Sequence, residues 1–489
     1  MGFLDGLPLP NILKQIENSM YRTIKKDKIM KQSNYKYLIV FFSVFTIPSI
    51  LLSQTIFPIK NIDNIVKKEV DNGRSPSIVV GIIDNHNQYI ICHGNPFDKN
   101  EQKADNNTIF EIGSITKIFT TTILANMIVN GELKLTDPVS MFLPDSVKFI
   151  EKDGKTITLK HLATHTSGLP RFPENFIPKD SQNPYKDYTL NDIYQFLNTI
   201  TVKENQGIGE YSNIGMALLA NILCDINKTD FETLIIERIC DPLDMQNTVI
   251  NLTKEQQEQF ATPYTVPGKI TKHWDFQAIE GAGAIKSNLV DMLKFLKAQL
   301  SPDNSSLGKA IKLAHGFQDS TSMKNTSIGL GWFINHQYDN NIIWHNGATG
   351  GFKSYIGFDV KNQRGVVILS NSTRSVNDIG FHIINTNFKI KEFRKKEVLE
   401  LSAKDFLQFE GYYLMETGDT MRIYSKDRKF YLNAENQGEF EIYPQKGDVF
   451  IFDQLPFKLG FEDFVNSRFQ TLILLDNNSN PKAKRTIRE

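Results

Sequence analysis

Ser114-Ile115-Thr116-Lys117 sets a hydroxyl and an amine three residues apart. On a helix that spacing places both side chains on one face, so Lys117 can serve as the base that makes the Ser114 hydroxyl a nucleophile. If Ser114 opens the helix, its own N–H stands at the positive end of the helix dipole, where it can stabilise an oxyanion. Alone the pattern is weak, because Ser is a common helix cap.

Tyr211-Ser212-Asn213 follows Gly207 and Gly209 in a loop ahead of an apolar helical stretch. A tyrosine beside a lysine ammonium has its phenolate favoured, and such a Tyr211 could exchange a proton with Ser114 and with a leaving group. Asn213 offers an amide to hydrogen-bond a substrate. Further on, His345-Asn346-Gly347 stands where a β-run ends, and Ala348-Thr349-Gly350-Gly351 follows. Those small residues let substrate approach the backbone, as at a strand edge lining a cleft. His161 and His165 have a spacing usable for a metal pair, but the residues between them lack the Glu of His-Glu-x-x-His, so no metal is expected. No Gly-x-Ser-x-Gly elbow occurs, which argues against an α/β-hydrolase.

The elements that must hold these groups can be read from periodicity. Ile59, Ile62, Ile65, Val66 and Val70 recur at helical spacing, and Asn72-Gly73 stops the helix. Residues 77–83 and 88–92 form a hairpin about Asp84-Asn85-His86-Asn87. Apolar positions over 115–128 predict a buried helix beginning beside Ser114 and ended by Asn130-Gly131. The region 159–300 is mainly helical, most clearly at 216–226 and 289–300. Short strands follow at 341–344, 355–358 and 366–369. Strands at both ends with helices between them predict one discontinuous domain, an antiparallel sheet with helices packed on it. From about Leu401, aromatic-rich alternation predicts a separate small β-domain, reached through a charged helical connector at 389–400.

With 489 residues, 40% of them apolar, the chain has length for two or three domains and is too apolar to be mainly disordered. Lys plus Arg and Asp plus Glu each total 55, so no excess of positive charge favours nucleic acid or an anionic membrane. Cys92, Cys224 and Cys240 form no Cys-x-x-Cys pair, which excludes a disulfide framework and a cysteine zinc site. The apolar run 38–52, preceded by Lys25, Lys26, Lys28, Lys31 and Lys36, reads as an export signal or signal anchor, and a start at Met30 would give it ordinary signal-peptide proportions. The rest of the chain is then expected outside the cytoplasm, periplasmic or extracytoplasmic, with the membrane touched only by this segment.

Gly-Ser-Ile-Thr-Lys, Tyr-Ser-Asn and His-Asn-Gly occur in the order and rough spacing used by the penicillin-recognising serine hydrolases, and the chain resembles that superfamily, class C β-lactamases in particular. The stretches NGELKLTDPVSMFLP, ITLKHLATHTSGLP, EGAGAIKSNLVDMLKFL, IGLGWF and WHNGATGGFKSYIGFD extend the resemblance over roughly residues 60–385. It implies a β-lactamase/transpeptidase-like α/β (α+β) fold with an inserted helical domain. The organisation expected is an N-terminal extension at 1–57, a hydrolase domain at 58–388, a connector at 389–400 and an accessory β-domain at 401–489.

The resemblance further implies an acyl-enzyme mechanism without a cofactor. Ser114 would be the nucleophile and Lys117 and Tyr211 would share the proton transfers. Asn213, His345, Asn346 and Gly347 would meet the substrate, and the N–H groups of Ser114 and Ala348 would form the oxyanion hole. Substrates would be D-Ala-D-Ala-type peptides such as those of cell walls, β-lactams or small esters, with a non-catalytic penicillin-binding-like sensor as the alternative. The departure is His345, where class C β-lactamases carry the Lys of Lys-Thr-Gly. A histidine that is mostly neutral near pH 7 predicts weak, pH-dependent attraction of a substrate carboxylate, with Lys353 a second source of charge, and poor β-lactam turnover relative to peptides or esters.

Overall fold

The computed structural model describes residues 57–99, 101–148, 156–200, 207, 209–265, 269–391, 399–415, 418, 420–426, 429–434, 438–452, 458–475 and 481–486. The apolar run 38–52 lies outside them, as do residues 392–398 of the expected connector. Among the described residues no helix is long and apolar enough to cross a membrane.

Helix α1 (Ile59–Asp71) buries Ile62, Val66 and Glu69 at three- and four-residue spacing, and Gly73, at φ +68°, turns the chain out of it. Strands β1 (Ser77–Asp84) and β2 (Asn87–Gly94) form the predicted hairpin, whose tip uses Asn85 at φ +55°, a conformation Asn tolerates. A short pair, β3 (Ile109–Glu111) and β4 (Lys286–Asn288), joins the approach to Ser114 to the approach to a later helix. The remaining strands of the domain are β5 (Asp319–Ser320), β6 (Thr326–Ile328), β7 (Phe333–Asn335), β8 (Ile342–Ala348), β9 (Lys353–Asp359) and β10 (Arg364–Ser370). They complete an antiparallel sheet in the order β2-β1-β10-β9-β8-β7-β6-β5. The first strands thus lie beside the last, as expected of a discontinuous domain. The expected strand end at Trp344 is overturned. Pairing of His345, Asn346, Gly347 and Ala348 with Ile356, Tyr355, Ser354 and Lys353 carries β8 onward, so the His-Asn-Gly motif is part of the ladder.

Helices cover both faces. On one side lie α2 (Thr116–Val129), α3 (Asn213–Asn227), α4 (Leu289–Leu300) and α5 (Ser306–His315). Contact there is close: a Cβ on Gly81 of β1 would stand 2.7 Å from Leu293 of α4. On the other side α6 (Asn377–Ile384) packs Gly380 against the Tyr355 ring, while the next residue, Ile356, points into the main core as strand alternation requires. Helix α2 is buried nearly all round, with only Ile128 and Val129 outside the buried class, so it is a core helix and not an amphipathic surface one.

The aromatic-rich C-terminal segment forms a closed antiparallel barrel of eight strands: β11 (Gly411–Met415), β12 (Thr420–Lys426), β13 (Lys429–Ala434), β14 (Gly438–Gln445), β15 (Val449–Phe452), β16 (Lys458–Val465), β17 (Arg468–Leu475) and β18 (Lys482–Thr486). Pairing of β11 with β18 removes the free edges that an open sheet would expose. Its interior is filled by Phe406, Phe409, Phe430, Phe450, Phe461 and Phe469, with Phe406 stacked on Phe430 at 4.0 Å and Phe409 on Phe469 at 4.9 Å.

Candidate functional site

Ser114 occupies a 3-10 turn, Gly113–Ile115, that runs directly into α2. Its N–H stands ahead of the first bond of the turn, Ile115 N to Ile112 O. Gly113 has φ +52°, and a Cβ there would lie 2.7 Å from Ala348 N, so glycine is needed twice over: for the turn and for the end of β8 to come against it. Gly347 serves the same approach, since its Cβ would fall 1.9 Å from Ile112 O, and Ser354 Oγ donates to that same carbonyl at 2.7 Å. Ser114 and Ala348 thus lie on neighbouring segments, and both line the site.

At the second position of α2, Lys117 is wholly buried, and its Nζ donates to Ser114 Oγ at 3.0 Å and to Ala282 O at 2.7 Å. The neighbouring α2 hydroxyls grip the same segment: Thr120 Oγ1 donates to Gly281 O, and Thr116 Oγ1 accepts from Ile285 N. Burial, helped by the charge of Arg171, pushes the Lys117 amine well below its ordinary range. That shift favours the neutral form, whose lone pair can take the proton of a serine hydroxyl 3.0 Å away.

Tyr211 sits in the loop before α3 and shares a hydrogen bond with Ser114, while Lys117 Nζ lies 4.8 Å from its ring centroid. The expected phenolate is overturned. Burial raises the Tyr211 pKa more than the Ser114 hydrogen bond and Arg171 lower it, so the resting phenol is neutral. That form suits Tyr211 to donate a proton rather than to accept one. Ser212 caps α3 by accepting from Gly215 N and donates to Pro170 O, while Asn213 is anchored by its N–H to Arg171 O.

Ser114, Tyr211, Asn346 and Ala348 line a cavity of about 320 Å³, together with His165, Arg171, Met323, Ile328, Phe333 and Trp344. Lys117 and His345 lie buried behind that wall, and Asn213 and Gly347 are not part of it. The reading of His345 as a titrating carboxylate contact is overturned. Its ring is fully enclosed, stacked on Phe333 at 5.3 Å and bonded through Nδ1 to Asn346 O, and burial reinforced by Lys117 lowers its pKa to about 3.

Sequence reasoning missed Arg171 and His165. The exposed Arg171 holds its guanidinium 5.5 Å from the Tyr211 ring and 5.7 Å from that of Phe172. No pattern marks it, because it follows the His-Thr-Ser-Gly-Leu-Pro stretch as a lone loop cation. His165 lies within that stretch but was weighed only as a metal partner of His161. The two are engaged separately, His161 Nδ1 with Thr158 and His165 Nδ1 with Ser212 N. Among the described residues no His, Cys, Asp or Glu cluster could hold a metal ion.

Residues 62–382 match the family described as Beta-lactamase. Protein flp of Staphylococcus aureus (strain MW2) is 26% identical over 319 residues, which are 64% of this chain and 63% of that protein. The chain thus spans 63% of the length of this relative. A β-lactamase of Escherichia coli (strain K12) is 26% identical over 337 residues, covering 62% of this chain and 85% of that one. A class C β-lactamase structure from Rhodobacter sphaeroides superposes with a TM-score of 0.58 at 20% identity, over 67% of this chain and 99% of that chain. With the family match running through the Ser114 turn, the Tyr211 loop and β8, the chain belongs to the β-lactamase family of serine hydrolases.

Proposed function

We propose that the chain hydrolyses amide or ester bonds of small substrates through an acyl-enzyme on Ser114, and prefers peptides of the D-Ala-D-Ala type or small esters to β-lactams. Lys117 takes the Ser114 proton as Oγ bonds to the substrate carbonyl carbon. The N–H groups of Ser114 and Ala348 receive the oxyanion. Tyr211 then gives its proton to the departing amine or alcohol as the carbonyl bond to it breaks, and is reprotonated through Lys117. Water releases the acyl group by the same path in reverse. Arg171, not His345, meets any carboxylate on the substrate, because it is the cation on the cavity wall.

The observation that carries this reading is the buried Lys117 amine 3.0 Å from Ser114 Oγ, with Tyr211 bonded to the same hydroxyl. An extracytoplasmic site of action, set by the N-terminal apolar run, belongs to the same proposal. The test compares a chromogenic cephalosporin, a D-Ala-D-Ala peptide and a short-chain aryl ester, alongside mass spectrometry after exposure to a fluorophosphonate. An adduct on Ser114 with peptide or ester turnover above cephalosporin turnover is expected. An adduct elsewhere, or rapid cephalosporin hydrolysis, overturns the assignment.

A further inference from the structure

The loop that carries Tyr211 is held by one residue on three consecutive positions. Glu210 N–H donates to His165 O at 2.8 Å, the Tyr211 ring rests against the His165 ring at 4.5 Å, and Ser212 N–H donates to His165 Nδ1 at 3.2 Å. His165 itself is 3% exposed and has φ +58°, a left-handed conformation uncommon outside glycine, though histidine is among the residues that adopt it more readily. Strain of that kind persists only where the surroundings over-determine it, and it gathers at functional sites. Because Nδ1 accepts an amide proton, the neutral ring carries its own proton on Nε2, a buried atom without a hydrogen-bond partner among the described residues. Protonating Nδ1 would set two donors face to face, so the ring stays neutral beside Lys117.

The geometry points to His165 as the positioning residue that aims the Tyr211 hydroxyl at the leaving group. It rests on the acid role proposed for Tyr211 and goes beyond it by naming what orients that acid. His165 also lines the cavity, but the role assigned to it is exerted through residues 210–212. Its loss should therefore slow only those substrates whose leaving group must be protonated.

The experiment measures kcat/KM of the full chain, which reports acylation, with ethyl butyrate and 4-nitrophenyl butyrate. Ethoxide needs a proton to leave, whereas nitrophenolate does not. His165→Phe keeps an aromatic ring but loses the acceptor for Ser212 N–H, and should lose about 100-fold on the ethyl ester and less than about fivefold on the nitrophenyl ester. His165→Asn tolerates the left-handed backbone and keeps an acceptor, and should restore the ethyl ester rate to within about tenfold. Equal losses on both esters, or a lowered melting temperature with kcat/KM unchanged on both, overturn the inference. If the Phe variant fails to fold, His165→Gly, which fits the left-handed backbone and offers no acceptor, decides: an ethyl-selective loss supports the inference, and an unselective loss or none overturns it. Tyr211→Phe separates the two levels. A leaving-group split there without one at His165 removes only the inference, and no split at Tyr211 removes the acid role and the inference together.

Discussion

The hydrolase region and the C-terminal barrel bury opposite kinds of residue. Around Ser114 the interior holds Lys117, His165 and His345, with Thr116, Thr120 and Thr121 beside them, all within the buried class. The barrel interior is phenylalanine packed on phenylalanine, and its Lys and Asp or Glu pairs, such as Lys482 with Glu462 and Lys484 with Asp463, stand in solvent. Burying polar groups costs free energy unless each finds a partner, so their gathering in one region marks where chemistry is done. The barrel keeps mostly to the cheaper arrangement, and its buried Tyr413 hydroxyl is tied to Phe409 O and Arg485.

The largest effect should come from removing the nucleophile. Ser114→Ala should abolish turnover by at least about 10⁴-fold and abolish the fluorophosphonate adduct, measured by steady-state rates and intact mass. In the barrel the corresponding damage is to stability alone. Phe450→Ala should cost about 3–5 kcal/mol in barrel unfolding, followed by near-ultraviolet circular dichroism, while the rate of Ser114 acylation is unchanged. A chain ending after residue 400 should likewise keep acyl-transfer activity, and its insolubility would erase the contrast between the regions. Lys117→Ala and Tyr211→Phe should each lose roughly 100-fold, and losses below about tenfold would take them out of the proton path.

Acid sharpens the contrast further. His165, His315 and His345 are held neutral by burial, with the latter two lowered to about 3. Below the ordinary pKa of 6.5 the unfolded chain binds protons that the folded chain does not, so stability should fall as pH drops from there toward 3. Each such ring contributes a slope of up to about 1.4 kcal/mol per pH unit. No histidine follows His382, so the barrel transition should lack this slope. Two melting transitions that shift in parallel with pH would contradict that expectation. The smallest effect is expected at His345 in binding: affinity for an anionic substrate should show no step near pH 6.5, read by inhibition with a carboxylate-bearing ester.

Ser114 and Lys117 were legible because their relation is local: three residues on a helix fix it whatever the rest of the fold does. Tyr211 and His345 were legible as members of a set of motifs, but their protonation was not, since burial depends on what packs around them. The histidine titrating near pH 6.5 and the favoured phenolate expected from residue type both fail against full enclosure. Arg171 left no pattern, and His165 matters through a left-handed backbone and two amides that only the folded loop brings to it. Alternation marked the strands of the C-terminal segment, whereas closure depends on β11 finding β18 across the whole segment, a long-range event with no local signature.

The placing of β1 against β10 bears on how the chain comes into being. Asp84 and Arg364, joined by an ion pair at 2.8 Å, are 280 residues apart in sequence. All eight residues of β1 are buried in the finished sheet. At roughly 5–20 residues per second of synthesis, β1 waits tens of seconds for its inner neighbour. Until β10 arrives, an apolar strand has one edge unpaired, the condition under which nascent chains aggregate or engage chaperones. The sheet is therefore completed late and through non-local contacts, which makes slow folding the expected behaviour of the hydrolase region. The barrel, whose neighbouring strands succeed one another along the chain apart from the final closure, can pair as it is made.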